Sequence, residues 1–359
     1  MLDNALLNLL HTNLRLSPDD ELLVFTDDEK PFPRAAAERL AELARQNGYA
    51  VRFLVYPSLK GHGKEPPEEL WRLTFGDEAV NELKSRGLLK PLLNKEPYDE
   101  KTVREVLLEK TKRPPTAVVA LAYYSTTHTA FRRFLTDLFK ARYASMPLFD
   151  EEMVKPLNAD WEEVAKLSKA VAEALTEAEY AELYCPHGTR LELSLKDRRA
   201  VADTGLLHEP GSFGNLPAGE GFIAPLEEEA QGTLVTFYGP DEKLPEPLRF
   251  TFKDGEVVKV EGGGELGRKL VKLFNETPAA RKVAELGVGT NPEARRPYNV
   301  LEAEKIMGTF HVAVGDNHTF GGKTVAPFHV DFVVFGGDAV LGGRGWRTKL
   351  LEKGRLKTP

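Results

Sequence analysis

The first half of the chain alternates between short apolar runs and amphipathic segments, and this alternation constrains the fold more than any other feature. Glu21–Asp27 is an apolar run of buried-strand type, an amphipathic helix follows it, and Ala50–Tyr56 is the next strand. The pattern returns at Thr116–Tyr123, before a helix over about 129–144 and a strand at Met146–Phe149. Strands separated by helices of this length predict a parallel sheet that is covered on both faces.

The pattern changes after about residue 180, and this change predicts a second domain. A helix with a capping box, Asp160 and Glu163, precedes the change, and a helical stretch is predicted over about 265–286. Short strand-like runs follow the change at Ala181–Cys185, Arg190–Leu195, Gly232–Tyr238, Leu248–Phe252, Val257–Val260, Gly308–Val314 and Phe328–Phe335. The sequence therefore predicts a Rossmann-like α/β domain over residues 1–180 and an α+β metal-binding catalytic domain, with a mostly antiparallel sheet, over residues 181–359.

Charge and cysteine content exclude several classes of function. The formal net charge is −7 and the basic residues are interleaved with acidic ones, so no nucleic-acid partner is expected. Cys185 is the only cysteine, which excludes an intrachain disulfide and a thiolate-rich zinc site.

The N-terminus lacks the features of a signal peptide, and no apolar run approaches the roughly 18 residues of a spanning helix. A cytoplasmic protein without a membrane partner is therefore expected.

Three of the eight histidines, His311, His318 and His329, lie within 19 positions of one another. In a strand, residues two apart project from the same face, so His329 and Asp331 point together while their neighbours form an apolar face. An imidazole nitrogen beside a carboxylate oxygen suits two ligands of one metal ion. His311 lies on the preceding predicted strand and could approach the same ion. A hydrogen-bonded surface pair remains the alternative on this pattern alone.

Three acidic residues stand out by their surroundings. Glu220 lies in the apolar segment NLPAGEGFIAP, where an unpaired charge requires a cation or strong donors, although a loop acid facing solvent is the alternative. Glu285 lies among small and apolar residues and, taken alone, reads as an exposed residue at a helix end. Glu304 precedes His311 by seven positions, and its spacing favours a salt bridge with the adjacent Lys305.

Four segments together resemble a known family. NLPAGEGFIAP at 215–225, ELGVGTNP at 285–292, LEAEKIMGTFHVAVG at 301–315 and PFHVDF at 327–332 are similar to the aminopeptidase T / aminopeptidase S family of dinuclear metallopeptidases. The resemblance covers most of the second half, and the first half matches only as an α/β domain. It implies two divalent metal ions, zinc, cobalt or manganese, held by Glu220, Glu285, His311, His329 and Asp331.

The resemblance also implies an activity and a partner. The expected protein is a homodimeric metallo-aminopeptidase that releases N-terminal amino acids from peptides through a water activated by two metals. Glu304 or Glu220 would carry the proton, and the sequence does not choose between them. His318 stands where the family has a tyrosine, seven positions after the first histidine, and could act as a ligand or as a donor to the transition-state oxyanion.

Two rival interpretations remain open. His311, His329 and Asp331 also form a 2-His-1-carboxylate set, the ligand type of non-haem Fe(II) oxygenases. A dihydroxypyridine ring-cleaving dioxygenase is similar to the aminopeptidase family and uses such a single-iron site, but Glu285 alongside Glu220 favours two metals. The other rival is a binding protein with an altered site, against which the complete ligand set argues.

Overall fold

A computed structural model describes residues 1–357, with the backbone alone at residue 300. The helices are α1 (Leu2–Asn8), α2 (Pro31–Gln46), α3 (Glu68–Phe75), α4 (Asp77–Ser85), α5 (Leu89–Leu93), α6 (Glu100–Lys110), α7 (Ala130–Arg133), α8 (Val154–Leu157), α9 (Trp161–Glu177), α10 (Gly264–Glu276) and α11 (Val300–Ala303). The strands are β1 (Glu21–Asp27), β2 (Ala50–Tyr56), β3 (Ala117–Ala120), β4 (Arg142–Ser145), β5 (Tyr180–Cys185), β6 (Thr189–Ser194), β7 (Val201–Asp203), β8 (Phe213–Asn215), β9 (Glu220–Ile223), β10 (Ala230–Tyr238), β11 (Lys243–Lys253), β12 (Glu256–Gly262), β13 (Val283–Gly289), β14 (Phe310–Gly315), β15 (His329–Val334), β16 (Asp338–Gly343), β17 (Trp346–Glu352) and β18 (Arg355–Leu356).

The N-terminal compact unit contains Met1–Asn158 and Gly205–Leu216. Its five strands pair in parallel in the order β2-β1-β3-β4-β8. The apolar run in β1 is buried from Leu22 to Phe25, and all four residues of β3 are buried as well, as expected for central strands of a covered parallel sheet. The predicted parallel α/β fold of the first half is therefore confirmed.

The C-terminal compact unit contains Ala159–Thr204 and the chain from Pro217 onward, so helix α9 belongs to it. It holds two antiparallel sheets, ordered β12-β11-β10-β6-β5-β16-β17-β18 and β15-β14-β13-β9-β7. Apolar side chains of both sheets form one core, in which the rings of Phe332 on β15 and Phe250 on β11 lie 4.7 Å apart. This confirms the predicted antiparallel α+β architecture, while the division of the chain at residue 180 stays a prediction.

The helix expected over about 129–144 is much shorter in the structure. Helix α7 covers four residues, a π-helical turn continues it from Phe134 to Leu138, and Lys140 then adopts a positive φ of 57°. A left-handed residue cannot continue a right-handed helix, so the chain turns here. Strand β4 consequently ends at Ser145, before the predicted strand at Met146–Phe149 begins.

The prediction of a helix over about 265–286 is also wrong for the C-terminal part of that range. Helix α10 ends at Glu276, because Pro278 follows and the residue before a proline is displaced from helical geometry, here to φ −135° and ψ 85° at Thr277. Strand β13 begins at Val283 and all seven of its residues are buried. Glu285, which reads from sequence as an exposed residue at a helix end, therefore lies inside a sheet.

Within residues 1–357, no helix is both long enough and apolar enough to span a bilayer.

Candidate metal centre

The predicted metal ligands lie on one face of the sheet β15-β14-β13-β9-β7. They come from four neighbouring strands: Glu220 on β9, Glu285 on β13, His311 on β14, and His329 and Asp331 on β15. The side chains on one face of a sheet are related by cross-strand pairing and by steps of two residues. The observed cross-strand pairs place the ligands on the same face: Gly289↔Glu220, Gly287↔His311, Ala313↔Asp331 and Gly315↔His329. Each ligand thus lies opposite a small residue, which leaves room beside it.

Four of these side chains form a closed ring of donor atoms. His311 Nε2 lies 3.1 Å from Glu285 Oε1, and Glu285 Oε2 lies 3.5 Å from His329 Nε2. Asp331 Oδ2 lies 3.3 Å from His329 Nε2, and Asp331 Oδ1 lies 4.0 Å from His311 Nε2. An ion with bonds of about 2.1 Å spaces its neighbouring ligands about 3 Å apart at right angles and up to about 4 Å when the angle opens. On this face, the donor atoms fall into two groups spaced for a metal ion, Glu220 with Glu285 and His311, and Glu285 with His329 and Asp331.

Several buried polar atoms at this face lack the hydrogen bonds that burial normally demands. Among the described residues, none hydrogen-bonds to Glu220 Oε2 or Asp331 Oδ1. His311 Nε2 lies 3.1 Å from Glu220 Oε2 and also 3.1 Å from Glu285 Oε1, so one N–H group faces two carboxylate oxygens. An unpaired buried carboxylate oxygen is strongly unfavourable, and a bound cation satisfies it. These residues therefore fit a metal ion.

The two histidines differ in their hydrogen bonds and in their exposure to solvent. His329 Nδ1 lies 2.7 Å from the backbone carbonyl of Asp316 and can donate to it, which directs Nε2 toward the donor ring. His311 is fully buried, whereas about a quarter of the His329 side chain (27%) is exposed. The solvent side of the centre is therefore at His329.

Protonation of the metal-free centre follows from its excess of carboxylates. Burial alone would lower the pKa of His329, but Asp331 and Glu285 outweigh burial and raise it to about 10. Glu220 and Glu285 likewise hold the pKa of His311 well above its usual range against the effect of burial. The pKa of Asp331 is lowered in spite of burial, chiefly by His329. Protons on the two imidazoles thus balance part of the carboxylate charge when no ion is bound.

A glycine makes the close approach of β13 and β14 possible. A Cβ atom on Gly287 would lie 2.0 Å from His311 Nε2, far inside van der Waals contact. The φ of Gly287 is not in the left-handed region, so space alone requires the glycine. Position 287 therefore admits no side chain while His311 keeps its orientation.

Lys305 was not predicted as part of the site, yet it contacts one of the predicted ligands. Its side chain is buried, and Nζ lies 2.5 Å from Glu220 Oε1, 2.8 Å from Glu304 Oε1 and 3.4 Å from Asp203 Oδ2. Asp203 on β7 pairs across the sheet with Glu220. The sequence shows Lys305 only as a neighbour of Glu304, and nothing in its spacing links it to Asp203 or Glu220.

The two predicted catalytic residues, Glu304 and His318, both lie outside the groups of donor atoms spaced for a metal. Glu304 contacts Lys305 and lies outside the two groups of donor atoms spaced for a metal, which are Glu220, Glu285 and His311, and Glu285, His329 and Asp331. Burial raises the pKa of Glu304 to about 8, although Lys305 opposes this. His318 is also outside both groups, with about half of its side chain exposed.

His318 belongs to the loop between β14 and β15, which borders the donor ring. Its Nδ1 lies 2.8 Å from Asp316 Oδ1, and Phe320 on the same short 3₁₀-helix packs edge-on against the His329 ring at 5.8 Å. Phe320 also contacts the ring of Phe222 on β9 at 5.4 Å. The loop thus packs the Phe320 side chain against His329 and orients the His318 imidazole through Asp316.

The loop is anchored by a buried ion pair between Glu227 and Arg198. Glu227 Oε2 lies 2.5 Å from Arg198, and Glu227 Oε1 accepts hydrogen bonds from Asn317 Nδ2 at 3.2 Å and from the Lys323 amide at 2.6 Å. Asn317 Oδ1 in turn accepts from the Thr324 amide at 2.9 Å. A charged pair buried under the loop therefore holds its backbone in place.

Comparison with known proteins relates the second part of the chain to a dioxygenase family. The family model described as NicX, 2,5-dihydroxypyridine 5,6-dioxygenase, matches residues 151–357. A 2,5-dihydroxypyridine 5,6-dioxygenase of Pseudomonas putida is 30% identical over 161 residues, which cover 40% of this chain and 45% of that enzyme. The matched segment thus spans less than half the length of this relative.

Two solved structures share the fold over the whole chain. The 2,5-dihydroxypyridine dioxygenase of Pseudomonas putida KT2440 has a TM-score of 0.72 and 17% identity, covering 100% of this chain and 97% of its own. AmpT of Thermus thermophilus has a TM-score of 0.61 and 17% identity, covering 99% of this chain and 98% of its own. At this identity both comparisons show a common fold and no more.

The expected membership of the aminopeptidase T / aminopeptidase S family, and with it the metallo-aminopeptidase activity, is wrong. The family model that covers the metal centre is that of the dioxygenase, and the likeness to AmpT is one of fold. The error has a physical origin. Histidines and carboxylates on adjacent strands suit zinc, cobalt, manganese and iron alike, so the donor pattern does not select the chemistry.

Replacing Gly287 with alanine should weaken metal binding about 10- to 100-fold, because the new Cβ must displace the His311 imidazole. Competition with a chromophoric chelator would measure the affinity, and circular dichroism would verify the fold. Gly61→Ala is the control, since its Cβ would meet the flexible end of Lys64 at 3.0 Å. Unchanged affinity in Gly287→Ala would show that His311 is not a ligand.

Metal binding should release about two protons per ion near pH 7.5, because His311 and His329 are protonated in the metal-free protein and only a neutral imidazole binds a metal. Affinity should therefore rise with pH, by about tenfold per unit for each proton released. Calorimetric titration in two buffers of different ionisation enthalpy would count the protons. Identical heats in both buffers would contradict this expectation.

Proposed function

The chain belongs to the NicX family (2,5-dihydroxypyridine 5,6-dioxygenase), and from this membership we propose that it is an iron-dependent dioxygenase that opens the ring of a dihydroxypyridine. The observation that carries the proposal is the match of this family over residues 151–357, which contain both groups of donor atoms spaced for a metal. Peptides are consequently not proposed as substrates. A homodimer and the absence of a nucleic-acid partner stay predictions.

We propose that one ferrous ion is held by His311, His329 and Asp331, with Glu285 closing the donor ring. Two imidazoles and a carboxylate are the ligand set of non-haem iron oxygenases. Ferrous iron would supply the electron-transfer chemistry that allows dioxygen to react with an electron-rich aromatic ring. A single ion is favoured over the pair of zinc, cobalt or manganese ions expected from sequence, because Glu220 Oε1 is already paired with the Lys305 ammonium at 2.5 Å.

Aromatic side chains beside the ring support a flat substrate. Phe222 and Phe320 are both partly exposed, and their rings meet edge-to-face next to His329. Aromatic faces and edges pack favourably against a planar ring and exclude water around it. We propose that these two phenylalanines orient the substrate ring over the open side of the centre.

His318 is proposed as the group that exchanges protons with a substrate hydroxyl. The Asp316 carboxylate binds Nδ1, which leaves Nε2 free and fixes the plane of the imidazole. Glu304 is proposed to keep Lys305 in position, because its Oε1 lies 2.8 Å from the Lys305 ammonium. This assigns proton exchange with the substrate to His318, and neither Glu304 nor Glu220 touches the substrate.

Protein reconstituted anaerobically with ferrous iron should consume one O₂ per 2,5-dihydroxypyridine, with loss of the aromatic absorbance.

Asp331→Ala should lose both iron and activity, because it removes an anionic ligand. Asp241→Ala, at an exposed position, is the control. Oxygen electrode traces and iron analysis would measure these outcomes. Release of amino acids from aminoacyl anilides by metal-loaded protein, without oxygen uptake, would overturn the proposal in favour of a peptidase.

His318→Ala should lower kcat by about 10²- to 10⁴-fold while iron content stays unchanged, because the residue is proposed to move a proton without binding the ion. Asp316→Asn should reduce kcat less, since it weakens only the orientation of the imidazole. His187→Ala is a matched control, because His187 contacts Phe237 and is not part of either donor group. A loss of iron in parallel with activity would instead make His318 a ligand.

A further inference from the structure

Lys305 is surrounded by carboxylates from three separate segments. Its Nζ contacts Asp203 at the end of β7, Glu220 at the start of β9 and the adjacent Glu304, at 2.5 to 3.4 Å. The side chain is 4% exposed, and the three carboxylates are mostly buried as well. An ammonium group has three N–H donors and one positive charge, so three acceptors satisfy its donors while leaving negative charge in excess.

Glu220 connects this ammonium to the donor ring. Its Oε1 lies 2.5 Å from Lys305 Nζ, and its Oε2 lies 3.1 Å from His311 Nε2 and accepts no hydrogen bond from the described residues. One carboxylate therefore faces a cation on one oxygen and the proposed iron ligand on the other. A divalent cation held by Asp203, Glu220 and Glu304 would have the same surroundings as this ammonium.

From this geometry we infer that Lys305 is a built-in cation that takes the place of a second metal ion among Asp203, Glu220 and Glu304. The inference rests on the proposed single-iron site. A second divalent ion would have to expel an ammonium that the chain itself tethers among its carboxylates, and the expelled charge would remain buried and unpaired. The lysine thus prevents a second ion from binding to Asp203, Glu220 and Glu304.

The backbone around Lys305 is fixed independently of its side chain. The Lys305 amide donates to the carbonyl of Glu302 at 3.0 Å, and the Lys305 carbonyl accepts from the Asn291 amide at 2.9 Å. Truncation of the side chain should therefore leave the turn in place and expose three carboxylates to one space. Three mutually repelling buried carboxylates require a cation, and oxygen ligands of this kind bind divalent ions.

Zinc stoichiometry of the full-length protein tests the inference. Apo protein would be titrated with zinc, freed of excess metal and analysed for zinc per chain. Wild type and Lys305→Arg should bind one ion, Lys305→Ala should bind two, and Lys305→Ala combined with Glu220→Gln should return to one. Lys259→Ala, at an exposed position, is the matched lysine control and should bind one ion.

Folding of the variant is part of the same test. Lys305→Ala should melt at a lower temperature than wild type without metal, and zinc should raise its melting temperature by more than that of wild type. Two zinc ions in wild type, or one in folded Lys305→Ala, would overturn the inference. Failure of Lys305→Ala to fold even with zinc would also overturn it, because a divalent ion is expected to replace the ammonium.

The zinc counts separate this inference from the proposed function. Zinc binding involves no oxygen chemistry, so a change from one ion to two would support the role of Lys305 even in a protein without dioxygenase activity. Conversely, iron-dependent ring cleavage by a wild type that binds two zinc ions would leave the proposed reaction intact and remove the role of Lys305.

Discussion

The metal centre depends on the balance of buried charge on one face of a single sheet. Carboxylates of Asp203, Glu220, Glu285, Glu304 and Asp331 are gathered there, and the balancing groups are Lys305 and the two imidazoles. Buried carboxylates are tolerated only when cations or donors neutralise them. This explains why both histidine pKa values are raised and why two carboxylate oxygens remain without hydrogen-bond partners in the described structure.

The strand register determines which of these charged side chains lie on the same face of the sheet. Because the period of a strand is two residues, a slip of one position would move a ligand from the site face to the apolar core. Phe332 lies between the site-facing residues of β15 and packs into the core, which fixes the register of the strand. Glycine and alanine opposite the ligands allow the side chains to approach one another, most closely at Gly287 and His311.

The donor set alone does not distinguish hydrolysis from oxygenation. Imidazole and carboxylate ligands accept several divalent metals, and one fold is common to a dioxygenase and an aminopeptidase structure. The surroundings of the ligands must therefore select the chemistry. A lysine that occupies the second cation position would be a local change with a large consequence, because one ion cannot form the two-metal clamp that activates water between metals.

The sequence by itself determined the parallel α/β first half, the antiparallel second half and the pairing of His329 with Asp331, because these follow from local periodicity. It also singled out His311 by its neighbouring predicted strand and Glu220 by its apolar surroundings, whereas Glu285 was selected only through the family resemblance. Only the tertiary structure decided that Glu285 lies in a buried strand, and that Asp203 and Lys305 join Glu220. These contacts join residues about 20 to 100 positions apart, and sequence periodicity carries no information about which distant segments a sheet brings together.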